Sequence, residues 1–279
     1  MDIIARTAFL LLVLIGCAAV GMFIKSRLPE RHQSREAVEL VGLVITMLVT
    51  FAALVMGLLT YSVKGAFDQG NTDMATLAAE VVRFDQCLRN YGPAATPIRH
   101  QLRRYTAAVI ATTWPHEPKP AGPAYPVTAP PRHPGEMESL ALGRMLNEMG
   151  LGIRHLAPGD ALHGGLAATC LSDFQRLESA RWTIIEEARS TISRPFYLVL
   201  VFWLAVIFIC FGLNAPRNIF TFLMIALSAV SIASAVLVIL DMDTPFSGVL
   251  MISSEPMRNA LADIDIPFTP PPRLPPAPQ

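Results

Sequence analysis

The stretch GLVITMLVTFAALVMGLLTYSVK, residues 42 to 64, decides how the whole chain is read. It carries no charge before its last residue. A helix rising about 1.5 Å per residue needs roughly 20 mostly apolar residues to cross a hydrocarbon layer about 30 Å thick, so the stretch is a membrane span. At helical pitch Gly42, Thr46, Thr50, Ala53, Gly57, Thr60 and Lys64 recur at spacings of four or three and fall on one narrow stripe. Lipid tails are as apolar as leucine, so helices in a bilayer associate where small residues let their backbones approach. The stripe is therefore expected to face protein. It serves either helix packing or, in a symmetric ring of subunits, a hydroxyl-lined path for ions.

Three further stretches repeat the pattern of length without charge, about 7 to 24, 196 to 213 and 219 to 240. The composition agrees: 52% of residues are apolar and 16% charged, against about 25% charged in soluble proteins. The 22 basic and 22 acidic residues cancel, which removes any bulk electrostatic case for nucleic-acid binding. LIGC at Leu14 to Cys17 resembles a lipoprotein cleavage box, but the apolar run continues to Ile24 and is closed by Lys25 and Arg27, so it is read as a span.

The expected fold is all-α, an integral membrane protein with two transmembrane hairpins around a helical extramembrane domain. Residues 1–63 form the first hairpin and 196–243 the second, each closed by a short loop, KSRLPERHQSRE or LNAPRN. Residues 64–195 form the domain. Within it Leu77, Val81, Phe84 and Leu88 predict one helix, ended by Gly92-Pro93. Ile98, Leu102, Tyr105 and Val109 predict a second, started at Thr96-Pro97. A proline-rich loop, 114–134, interrupts. Leu142, Leu146, Met149 and Ile153 mark a third helix, and Leu166, Cys170, Phe174, Leu177 and Ile184 a fourth. Residues 244–279 are read as a short helix and a disordered proline-rich tail.

Chemistry is sparse. Pro245 should end the last span near Asp243, leaving Asp241 and Asp243 at a helix C-terminus, where the macrodipole disfavours carboxylates. With four spans, Arg6, Lys64 and Arg194 lie on the same side of the membrane as these acids. An ion pair between Asp241 or Asp243 and Lys64 or Arg194 is expected, and a ring of charge at an ion pathway is the alternative. His155, Asp160 and His163 match no metal-site spacing, and Gly164-Gly165 is expected to break the helix there. His32, His116 and His133 are read as solvated. There is no GxSxG, HExxH, P-loop or GxGxxG motif. No catalytic residue, metal or cofactor is assigned, and the chain is not read as an enzyme. The expected partners are the lipid bilayer, further copies of the chain and ions.

Taken together, ELVGLVITMLVTFAALVMGLLTY, LRNYGP at 88 to 93, LRRYTAAVIATTWP at 102 to 115 and LDMDTPFSG at 240 to 248 resemble the bacterial bestrophin-like membrane proteins, a family without an assigned activity. The D-x-PFSG mark corresponds to Asp243, Pro245, Phe246, Ser247 and Gly248. The resemblance implies a distant likeness to bestrophins, pentameric anion channels with four spans, a helical cytosolic region and a pore lined by the second span. Phe51, the only phenylalanine of that span here, lies off the stripe. The alternative is a non-conducting membrane scaffold or sensor that binds partners through its extramembrane helices and proline tail.

The protein is expected in the cell membrane as a multi-pass protein, but two indications of orientation conflict. Lys25, Arg27, Arg31 and Arg35 in the first short loop place that loop in the cytoplasm and the domain outside. The likeness to bestrophins implies a cytoplasmic domain, and the reading leans that way. Whether Cys87 and Cys170 pair depends on the answer.

Overall fold

The computed structural model describes residues 3–27, 35–121, 140–189, 194–216, 218–244, 246 and 248–265. Residues 122–134 of the proline-rich loop, the tail from 266, Pro245, Ser247 and the side chain of Arg194 lie outside them, as do His32 and His133. The described elements are helical: α1 Ile3–Arg27, α2 Arg35–Tyr91, α3 Thr96–Thr113, α4 Leu140–Arg154, α5 Ala161–Arg189, α6 Arg194–Asn214, α7 Ile219–Met242 and α8 Glu255–Ile264, with a single 3-10 turn at Pro93–Ala95. Four of them, α1, α2, α6 and α7, are long and apolar enough to cross a membrane.

The chain divides into two compact units. One holds 1–68 and 190–251, the other 69–189 and 252–279. The helix α2 runs through the division without a break, because no Pro, and no Gly at a positive φ, interrupts it before Gly92.

In the first unit α1 packs on α6 and α7. Leu10, Leu14, Ala18, Leu200, Leu204, Phe208 and Ala229 form its core, and α2 adds the half-buried Val55, Met56 and Leu59. The closest crossing joins α1 to α6 through two glycines. A Cβ on Gly21 would overlap the Ile209 carbonyl oxygen and lie 3.0 Å from the Gly212 Cα, and one on Gly212 would overlap the Ala18 carbonyl oxygen. This is close approach by small residues, as a bilayer favours, but on helices other than the one whose stripe suggested it.

In the second unit the predicted faces are the core. Leu77, Val81, Phe84, Leu88, Ile98, Leu102, Tyr105, Val109, Leu142, Leu146, Met149, Ile153, Cys170, Phe174, Leu177 and Ile184 are all buried, and only Leu166 is half-buried. Gly92 ends α2 at φ 99°, where a side chain would be strained. On α4, Gly150 admits the Phe174 ring and Gly152 the Ile98 side chain. Cys87 on α2 and Cys170 on α5 are joined by a disulfide, Cα–Cα 5.5 Å.

Two expectations need correction. Gly164 and Gly165 do not break α5, which starts at Ala161 and passes through both. Its first turn is secured by Asp160, whose carboxylate accepts from the His163 backbone N–H at 2.7 Å and contacts His163 Nδ1 at 2.8 Å. These hydrogen bonds hold the exposed Asp160 carboxyl below its ordinary range, the backbone bond contributing most. Nor does the proline-rich loop begin free. Trp114 is buried and its Nε1 donates to the Ile252 carbonyl at 2.8 Å, while Glu117 pairs with Arg258 at 2.8 Å and accepts from Ser254.

Candidate functional site: the second-span seam and its neighbours

Within the first unit α2 presents three faces. Ile45, Ala52 and Val63 are buried, with Leu48, Val55, Met56 and Leu59 half-buried beside them. A second face of Leu43, Met47, Leu54, Leu58 and Tyr61 is exposed and bulky. Between them runs the predicted stripe. Thr46, Thr50, Ala53, Gly57 and Thr60 are exposed, Gly42 is half-buried, and a Cβ on Gly42 or Gly57 would meet nothing within 4 Å. The stripe is thus a real surface feature that the described residues of its own chain leave uncovered.

Its hydroxyls are satisfied locally. Thr46, Thr50 and Thr60 donate to the carbonyls of Gly42, Thr46 and Met56 at 3.0, 2.8 and 2.8 Å. With the proton turned into the helix, each hydroxyl offers oxygen lone pairs outward. Presenting the O–H instead would cost about 0.5 to 1.5 kcal/mol for the bond given up. Phe51 packs edge-on against Trp203, ring centroids 6.3 Å apart, off the seam. On α7 the exposed Ser228 and Ser234 also donate to their own helix, to Met224 and Ser231 carbonyls at 2.9 and 2.7 Å.

At the acidic end of the last span, Asp241 is held by backbone amides. The helix α7 does stop at Met242 with Asp243 as its cap. Asp241 is 3% exposed, and its carboxylate accepts from backbone rather than from a lysine: Val249 N–H at 3.0 Å and Leu250 N–H at 2.7 Å. Two such bonds offset a buried carboxylate at a helix C-terminus. Gly248, at φ 141°, brings those amides round, and a Cβ there would overlap the Asp241 carboxylate. Phe246 is buried beside this turn. Lys64 instead pairs with Asp68, one turn along α2, in an exposed contact.

Sequence reasoning missed the charge cluster of the second unit. Asp85, 2% exposed, accepts from Arg89 Nε at 2.6 Å and from Arg99 Nε at 2.8 Å. The same arginines donate to carbonyls at the end of α8, Arg89 to Asp263 at 2.7 Å and Arg99 to Ile264 at 3.4 Å, and Arg103 pairs with Asp265. Cations at a helix C-terminus complement its dipole. The spacing of Asp85 and Arg89 by four residues was the available signal.

No group of three or more His, Cys, Asp or Glu among the described residues could hold a metal ion. His155 bonds its own helix, Nδ1 to the Leu151 carbonyl at 2.7 Å, and His163 serves the α5 cap.

A crystal structure of a bacterial bestrophin homologue from Klebsiella pneumoniae, bearing one substitution, superposes with TM-score 0.61 at 15% identity, over 95% of this chain and 97% of that one. Another crystal structure of that Klebsiella pneumoniae homologue gives TM-score 0.60 at 15% identity, over 92% and 96%. At this identity the likeness establishes the fold. Among curated protein sequences none is significantly similar. The Bestrophin-like domain family matches residues 12–257, most of the chain, including α2 with its seam and the Asp241–Gly248 turn, and the protein therefore belongs to the bestrophin-like family.

Proposed function

We propose that this chain is one subunit of an oligomeric ion channel, with the seam of α2 lining the path. The observation that carries this reading is the exposure of Thr46, Thr50, Ala53, Gly57 and Thr60 on the span least covered by its own chain: 11% of the apolar stretch of α2 is buried, against 22% for α1 and 28% each for α6 and α7. A face of small and hydroxylated residues has little reason to meet acyl chains. Four spans in one chain do not enclose a pore readily, whereas a ring of copies does. Membership of the bestrophin-like family supports the same reading.

The seam is uncharged, so conduction would depend on hydroxyl oxygens and on the width left by glycine and alanine. With lone pairs outward it serves a cation as it stands. An anion needs the hydroxyls to rotate. Purified protein in planar bilayers should carry current, and Thr50→Leu or Gly57→Leu should cut unit conductance several-fold, with the reversal potential in a salt gradient giving the sign of the ion. Silent bilayers containing a verified oligomer would defeat the proposal.

One observation favours a non-conducting scaffold. Hydroxyls already bonded to their own helix make no demand for water, so the seam also suits direct helix packing between subunits. In that case Thr50→Leu would weaken the oligomer and there would be no current to alter.

A further inference from the structure

We infer that the disulfide-closed helical unit, 69–189, faces the oxidising side of the membrane, and that the two short interspan connections face the cytoplasm. Two independent observations carry this orientation.

The first is the placing of the cysteines. Cys87 and Cys170, 83 residues apart in sequence, sit on α2 and α5 with their Cα atoms 5.5 Å apart, at the usual separation of bonded cysteines. They are 6% and 0% exposed, so the pair lies in the core rather than at a labile surface. The chain has four cysteines, and the other two, Cys17 and Cys210, lie inside apolar spans. No cysteine outside the spans is therefore left as a thiol. Such usage suits a compartment in which disulfides persist and free thiols are a liability. Bond formation removes two protons and two electrons from the two thiols. Both electrons pass, by thiol–disulfide exchange, to the disulfide of an oxidoreductase, which leaves as a dithiol.

The second is charge. The first span has Arg6 on one flank and Lys25, Arg27, Arg31 and Arg35 on the other. The other short connection adds Arg217, while Lys64, Arg189 and Arg194 stand beside the spans on the other side, in the long segment. Positive charge in short loops holds them in the cytoplasm, whereas long segments cross with little regard to theirs. Of these residues Lys25, at the end of α1, donates to the Ala215 carbonyl just after α6 at 2.9 Å. Four spans then put the N-terminus, the 69–189 unit and the segment after α7 together on the opposite side. This reverses the orientation that likeness to bestrophins implies, and it does not depend on whether the protein conducts.

The test uses the full chain in a bacterial host. Gln175 and Ser26 are both exposed, one on α5 and one at the end of α1. Gln175→Cys should react with a membrane-impermeant maleimide in intact cells, and Ser26→Cys only after permeabilisation. In the unaltered protein, denaturation without reductant should expose two thiols to a polyethylene glycol maleimide, and prior reduction should expose four, read as steps on a gel. Labelling of Ser26→Cys with protection of Gln175→Cys would overturn the orientation. Four adducts without reduction would overturn the disulfide and with it the assignment of compartment.

Discussion

One helix, α2, obeys two different rules along its length. From Gln69 onward Met74, Leu77, Val81, Phe84, Leu88 and Tyr91 are buried against other helices, and a single apolar face is fully used. Before Asp68, among the described residues of α2, only Ile45, Ala52 and Val63 are buried, while Leu43, Met47, Leu54 and Leu58 stand exposed. The difference follows from the solvent. In water an apolar face is worth about 25 cal/mol for each Å² hidden, so the chain covers it. In lipid that gain vanishes, and what brings helices together is close approach. Burial thus marks structure in the one region, and small size marks it in the other.

The largest test of this contrast removes a buried charge partner. Asp85→Ala leaves the Arg89 and Arg99 guanidinium groups, both mostly buried, without their shared carboxylate. About 3 to 5 kcal/mol of stability should be lost, the usual effect of breaking a buried pair from one side. Thr50→Ala on the exposed seam should change stability by less than about 0.5 kcal/mol. Denaturant titration in mild detergent, followed by circular dichroism, compares the two. Equal small losses would mean that the second unit is not held by this cluster.

Glycines supply the next comparison. Gly212→Leu drives a side chain into the α1 backbone at Ala18 and should cost about 1 to 3 kcal/mol or prevent folding. Gly57→Leu meets nothing within its own chain. It should leave thermal stability of the monomer unchanged, cutting unit conductance if the seam lines the path and shifting the oligomer distribution in size-exclusion chromatography with light scattering if the seam packs between subunits. If Gly57→Leu changes neither, the seam faces lipid, and the proposed path falls with it. A smaller loss is expected at Gly248→Ala, about 1 to 2 kcal/mol, from a positive φ and overlap with Asp241. Its signature is local: proteolysis should speed up between 244 and 255 before the rest of the chain responds.

These pairs also show what could be read in advance. The second unit was legible almost residue by residue, since Leu77 through Ile184 follow helical periodicity and water enforces it. The end of α2 and the start of α3 within it were legible too, through Gly92-Pro93 and Thr96-Pro97. The seam was legible as a pattern, but not as a surface left open, because a stripe of small residues looks alike whether it is covered or bare. Gly21 and Gly212 escaped notice because only the crossing of two helices gives them a role. Asp241 was recognised as a carboxylate needing compensation, yet its partners are backbone amides of Val249 and Leu250, which no residue type announces. Arg99 reaches Asp85 from another helix, beyond the turn at Pro93–Ala95, so the i, i+4 rule showed half the cluster.

The smallest effect expected is a pH dependence confined to the second unit. Glu187 on α5 hydrogen-bonds Asp73 on α2, and this shared proton, followed by burial and by repulsion from Asp73, pushes its carboxyl up from 4.5 to about 7. Gln69 Nε2 donates to Asp73 Oδ1 at 2.9 Å. The folded-state value lies above the unfolded one, so the contribution to stability is fully present below about 4.5 and is lost as pH rises through about 7. Glu187→Gln keeps a hydrogen-bond donor toward Asp73 without a titratable proton. Its melting temperature should therefore match that of the unaltered protein near pH 5 and exceed it near pH 8, and the slope between should flatten. A slope unchanged by Glu187→Gln would place the titration elsewhere. The first half of α2 should show no such slope in either variant, since among its described seam residues, from Gly42 to Thr60, none titrates.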